Sequence, residues 1–126
     1  MLPLVNATSV KMFPASFFAP GARGGGFETG MSFVPVSLDE TRARVAEVGG
    51  VESYIGHADT AAILGSLLGV AVEHRRASYT VPDDGQPHTI LLADYDGPRL
   101  PEGATTLPGG AAMRFFVVSV GKFWMN

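Results

Sequence analysis

The stretch from His57 to Leu68, bounded by Gly56 before it and Gly69 after it, constrains this chain more than any other. Ala61, Leu64 and Leu68 recur at i, i+3 and i+7, and Ile63 and Leu67 widen the stripe until the segment is apolar nearly all round. A helix of that kind has no solvent face and must be buried. Gly69 is the natural place for it to end. The rest of the chain therefore has to supply surfaces that cover this helix.

The flanking segments read mostly as strands. Leu2 to Ala7 is a short buried strand, with Pro3 confined to a strand start or an edge. Met31 to Val36 is a second. Ser37 then offers a helix N-cap, and Glu40 three residues later completes a capping box. That pair predicts a helix over 38–48, stopped by Gly49-Gly50, with Arg42, Arg44 and Glu47 on its solvated face. Val51 to Ile55 is a short strand or extended segment. Val72 to Val81 and Thr89 to Tyr95 read as strands joined by a turn at Pro82-Asp83-Asp84-Gly85. Arg99 to Gly110 is a Pro/Gly-rich loop, and Met113 to Val120 is a last strand that can continue to Trp124. The run Pro20 to Gly30 lacks the GK[ST] ending of a phosphate-binding P-loop and reads as a surface loop. The order predicts an α/β (α+β) fold. It is a single compact domain over 1–126, with a mixed central sheet and flanking helices.

Composition narrows the function. Hydrophobic residues make up 46% and charged residues 17% of the chain, which describes a folded domain with apolar surface to spare and makes a homodimer reasonable. The net charge of -3 argues against a duplex nucleic-acid binder, which normally carries a basic face. There is no cysteine, and His57, His74 and His88 fall in no ligand spacing, so no metal site and no cofactor are expected. The start, MLPLVNATSVKMF, does not read as a signal peptide, and no apolar run reaches the roughly 18 residues of a membrane span. A cytoplasmic protein without membrane contact is the expectation.

Few residues stand out chemically. His57 opens the buried helix, where free backbone N–H groups and the positive dipole end favour an anion. The same dipole disfavours imidazolium unless a bound phosphate offsets it, in which case His57 can act as a general acid. A histidine that simply packs at a helix start looks the same. Arg75 and Arg76 follow the helix, and Arg99 and Glu102 lie in the run RLPEG. Arginine suits phosphate, but a plain loop salt bridge has the same appearance. Thr8 and Ser9 offer hydroxyls just past the first strand. His74 and His88 show no interpretable partner spacing. Phe17, Phe18, Phe115, Phe116, Phe123 and Trp124 read as core or dimer contacts rather than base-stacking platforms.

Taken together, SYIGHADTAAILGSLLGV, then HRR, then RLPEG resemble the viral type III anti-CRISPR ring nucleases and their bacterial CRISPR-ancillary relatives. That family's pattern is roughly IGH-x-x-T-x-x-L-x-x-L-x-G, a short N-R segment, and R-L-x-E-G. LVNATSVKMF also resembles the family's opening strand and loop, whereas the segment from Ala15 to Gly50 matches poorly. The resemblance implies metal-independent cleavage of cyclic oligoadenylate, above all cyclic tetraadenylate, by attack of a ribose 2′-hydroxyl on the adjacent phosphate. It implies His57 as general acid and Glu102 as the group that assists the hydroxyl. Asn6, Ser9, Lys11, Gly56, Arg76 and Arg99 are implied as substrate contacts. Lys11 stands where the family has an asparagine, and Pro98 where it has a polar residue, which leaves ring size open. A binding protein that senses or sequesters a cyclic nucleotide without cutting it is the alternative.

Overall fold

The strand and helix signals resolve into the order β1 (Leu2–Val5), β2 (Phe27–Val36), α1 (Leu38–Glu47), β3 (Val51–Ser53), α2 (Ala58–Leu68), β4 (His88–Asp96) and β5 (Ala112–Trp124). The computed structural model describes residues 1–6, 12 and 27–124, with side chains given for 1–6, 12 and 30–121. Thr8, Ser9, Lys11, Phe17, Phe18 and most of the glycine-rich run lie outside the described residues. The side chains of Phe123 and Trp124 do as well.

The five strands form one mixed sheet in the order β2-β5-β4-β1-β3. β1 pairs in parallel with β3 and with β4, while β5 pairs antiparallel with both β4 and β2. Both helices pack on one face. There Val45 of α1 and Ala61, Leu64 and Leu68 of α2 meet Leu4, Leu91, Ala93 and Phe115. Alternate residues of the same strands, Val5, Ile90, Leu92, Val118 and Val120, form a second cluster on the opposite face with Met12 and Val81. β4 is thus buried on both sides, which is why its centre reads as an unbroken apolar run. The result is a single compact α+β domain.

The capping box forms as the sequence predicts. The Glu40 N–H donates to Ser37 Oγ at 3.1 Å, and the Ser37 N–H donates back to Glu40 Oε1 at 3.4 Å. Gly69 ends α2 in the left-handed region at φ 70, its N–H returning to the Gly65 carbonyl at 2.9 Å. Phe115 lies in the helix-side core and Phe116 packs against the opposite one.

Several expectations are corrected. α2 begins at Ala58, so His57 is its N-cap rather than a first-turn residue. β3 ends at Ser53 rather than at Ile55, and β2 starts at Phe27, inside what reads as loop. Val72 to Val81 is not a strand: it makes a single bridge, Ile55 with His74, and runs otherwise as an extended strap. The reason is visible in burial. Glu73 to Ser78 are all exposed, so no apolar alternation holds them in a sheet. The strap is fixed instead by Ser53 Oγ donating to the Glu73 carbonyl at 2.6 Å and by the Arg75 N–H donating to the Ile55 carbonyl at 2.8 Å.

Candidate functional site

The three parallel strands run the same way, so the chain leaves β1, β3 and β4 at one end of the sheet. That end is the usual place for a ligand in an open sheet with parallel strands. α2 starts there after Tyr54–Gly56, and its N-cap is His57, with extended backbone at φ -123 and ψ 128 and no side-chain bond to its own helix. The His57 carbonyl accepts the Ala61 N–H at 3.0 Å, and the residue is exposed.

Two clefts meet at this histidine. The larger, of about 680 Å³, is lined by His57, Asp59, Thr60, Tyr95, Gly97, Arg99, Leu100 and Glu102. The smaller, of about 430 Å³, is lined by Gly56, His57, Arg76, Ala77 and Ser78. Five of the residues singled out in the sequence are thereby brought together. Asn6 follows β1 at the same end of the sheet and is exposed, but it lines neither of these clefts. Ser9 and Lys11 lie outside the described residues. Among the described residues, the side chains of His57, Arg76, Arg99 and Glu102 have no hydrogen-bond or ion-pair partner. Arg99 and Glu102 are therefore not the loop salt bridge that their spacing also allows.

The loop that carries Arg99 and Glu102 is pinned at three points. The Tyr95 hydroxyl donates to the Pro98 carbonyl at 2.5 Å. Gly97 packs so closely that an added Cβ would lie 2.6 Å from Ala111 Cβ and 2.9 Å from the Tyr95 hydroxyl. Beyond Arg99, the Ala104 N–H donates to the Pro101 carbonyl at 3.1 Å, closing a turn with Gly103 at φ 78. That positive φ in the third position suits glycine and puts Glu102 at the corner of the turn. Asp59, in the first turn of α2, accepts the Gly103 N–H at 3.1 Å.

The smaller cleft is built by the strap. His74 Nε2 donates to the Gly56 carbonyl at 3.0 Å, which seats Arg76 against Gly56. The neighbouring Arg75 turns the other way and stacks over the Tyr54 ring, 4.8 Å from its centre. Tyr54 meets Tyr79 edge-on at 5.3 Å and donates its hydroxyl to Glu52. That bond, with burial behind it, holds the Tyr54 phenol above its usual range, while burial raises Tyr79. His88, the first residue of β4, is paired with Asp84 at 2.8 Å, and this bond lowers the Asp84 carboxyl. Neither belongs to the clefts.

Sequence reasoning missed Asp59, Tyr95, Gly97 and Ser78 as cleft residues. An acidic residue in a first helical turn is unremarkable, and nothing in the spacing ties Asp59 to Gly103. Among the described residues there is no cluster of three or more His, Asp or Glu able to hold a metal ion, and no helix long and apolar enough to cross a membrane.

In fold the chain is similar to B116 of Sulfolobus turreted icosahedral virus (STIV), with a TM-score of 0.61 at 18% identity, over 93% of this chain and 97% of that one. No curated protein matches it. A family model described as STIV B116-like matches residues 3–108, a span that includes both helices and every residue of the two clefts. The chain belongs to the STIV B116-like family.

Proposed function

We propose that this protein is a metal-independent ring nuclease that opens cyclic oligoadenylate, the second messenger of type III CRISPR signalling. The observation that carries the reading is the position of His57 where two clefts meet, with Arg99 and Glu102 on one side and Arg76 on the other. The motif resemblance supplies the substrate class.

The chemistry follows from the groups present. An anionic phosphodiester seated between Arg99 and Arg76 neutralises part of the charge that two cationic side chains bring. The bound anion lies beside the His57 imidazole, the proton donor of the step. Glu102 directs a ribose 2′-hydroxyl onto the adjacent phosphorus and takes up the proton that the hydroxyl loses. A new P–O2′ bond forms, the P–O5′ bond breaks, and His57 gives its proton to the departing 5′-oxygen. The product is a linear oligoadenylate ending in a 2′,3′-cyclic phosphate. Acid catalysis of this kind contributes about 10²–10⁴-fold.

The same reading includes a homodimer. A cyclic tetranucleotide has approximate two-fold symmetry, and so does an isologous pair of protomers. Two His57 side chains then face opposite phosphodiesters. Met31, Phe33 and Val34 on the edge strand β2 are 40%, 44% and 51% exposed, which is apolar surface available for association. Light scattering should give twice 13.2 kDa.

The deciding experiment is incubation with cyclic tri-, tetra- and hexa-adenylate in excess EDTA, with products identified by mass spectrometry. Linear products ending in a cyclic phosphate are expected. Tight binding with no turnover makes the protein a sensor or sponge instead, and cleavage that requires Mn²⁺ overturns the metal-free mechanism.

A further inference from the structure

An acidic side chain lining a cleft that receives a phosphate works against binding unless it has another task. Asp59 lines the larger cleft, one residue beyond the helix end that His57 caps. Its Oδ1 accepts the N–H of Gly103, the residue directly after Glu102. Gly103 occupies the positive-φ position of the Pro101–Ala104 turn, so the direction of that N–H and the projection of Glu102 are set by the same few backbone torsions. The other two fixed points of the loop, at Gly97 and Pro98, lie on the far side of Arg99. Between Arg99 and Ala104, the Asp59 bond is the one that ties this turn to the helix presenting His57.

We propose that Asp59 is the positioning residue that locks Glu102 relative to His57, by clamping the Gly103 amide to the first turn of α2. Asp59 touches no reacting atom. Its carboxylate is spent on the amide, so its charge is a cost to anion binding and its acceptor geometry is the benefit. This inference rests on the reading of His57 and Glu102 as the acid and the hydroxyl-directing group. Losing the clamp lets Glu102 swing with the turn, and a displacement on the order of 1 Å can lower a rate about 10²-fold.

The test compares Asp59→Asn with Asp59→Ala. Both remove the charge, so any effect on the helix dipole or on phosphate repulsion cancels between them. Only the asparagine keeps a carbonyl oxygen for the Gly103 N–H. Amide hydrogen exchange at Gly103, measured by NMR in the absence of any nucleotide, should be slow in the wild type and in Asp59→Asn, and at least about tenfold faster in Asp59→Ala. Single-turnover opening of cyclic tetraadenylate should stay near wild type in Asp59→Asn and fall about 10²-fold in Asp59→Ala. Affinity for the ring should be equal or tighter in both. Asp59→Glu, which keeps the charge but moves the acceptor, should behave like the alanine variant and serves if Asp59→Ala does not fold. Equal Gly103 exchange in the variants with and without an acceptor in place overturns the clamp. So does equal cleavage by the Asn and Ala variants. A wild-type protein that opens no ring defeats the ring-nuclease reading instead, and with it the role assigned to Glu102, while the exchange measurement still decides the clamp on its own.

Discussion

The imidazole of His74 donates from Nε2 to the carbonyl oxygen of Gly56 at 3.0 Å, and this one bond joins the strap after α2 to the residue before His57. A carbonyl can only accept, so the Nε2-protonated tautomer is the one this contact requires. Arg76 comes two residues later and lines the cleft beside Gly56. Removing the bond with His74→Ala should loosen the strap and weaken cyclic tetraadenylate binding about fivefold, the worth of one net hydrogen bond. Calorimetric titration of both proteins checks this. Unchanged affinity means that the Ser53 and Arg75 contacts hold the strap alone.

His57→Ala should lower the single-turnover rate by about 10²-fold or more, the usual effect of losing a general acid. Binding should persist, because Arg76 and Arg99 remain. The measurement is product formation under enzyme excess beside an affinity titration. A variant that cuts at the wild-type rate removes His57 from the chemistry.

Arg99 and Glu102 should separate by phenotype. Arg99→Ala takes away positive charge in both ground and transition states, so affinity and rate should both fall. Glu102→Ala should chiefly lower the rate, and it should leave binding equal or tighter because a negative charge near an anion is gone. Normal binding and cutting by Arg99→Ala would move the phosphate site toward Arg76.

Gly97→Ala is a stability prediction. The new methyl group meets Ala111 Cβ at 2.6 Å, with Ala111 Cα at 3.1 Å close behind, so backbone must shift. Overpacking of this kind costs about 1–3 kcal/mol. Thermal unfolding should show a melting temperature several degrees lower, and cleavage should fall too, since the displaced loop carries Arg99. An unchanged melting temperature would mean that the loop end yields freely.

The tyrosine pair predicts an alkaline limit. Tyr54 and Tyr79 both titrate above the ordinary value of 10.0. The folded state therefore keeps protons that the unfolded state releases. That contribution is complete below pH 10 and is lost as pH rises through the folded values. Denaturant unfolding across alkaline pH should show the wild type losing stability in that window, with Tyr54→Phe losing less. An equal slope in the two proteins would show that the Tyr54 hydroxyl bond to Glu52 contributes nothing to the effect.

How far the sequence carries depends on where the signal lies. Ser37 and Glu40 announce α1, and the stripe of Ala61, Leu64 and Leu68 announces α2, because caps and helical periodicity are local. β4 and β5 are legible for the same reason. The strap is not. Val72, Tyr79 and Val81 suggest a strand, but residues 73–78 between them find no sheet partner beyond Ile55. His57, Arg76, Arg99 and Glu102 are legible as residue types and as a motif resemblance. Their convergence on two adjoining clefts is not, since it depends on parallel pairing of β1 with both β3 and β4. Asp59 illustrates the limit most plainly: its partner lies 44 positions away and is a backbone amide, which leaves no trace in side-chain pattern.

The sheet order also sets a timetable for synthesis. β1 can pair as soon as residues 51–53 leave the ribosome, but among the described residues β2 bonds only to β5, the last of the five strands in chain order. At about 5–20 residues per second, the segment 37–111 keeps β2 waiting roughly 4–15 s. Through that interval its ten residues, FETGMSFVPV, are exposed with Glu28 as their one charge. Crowded polysomes or a slow stretch of codons before Ala112 should therefore trap nascent chains through β2, with Glu28 and Pro35 the built-in obstacles to their stacking.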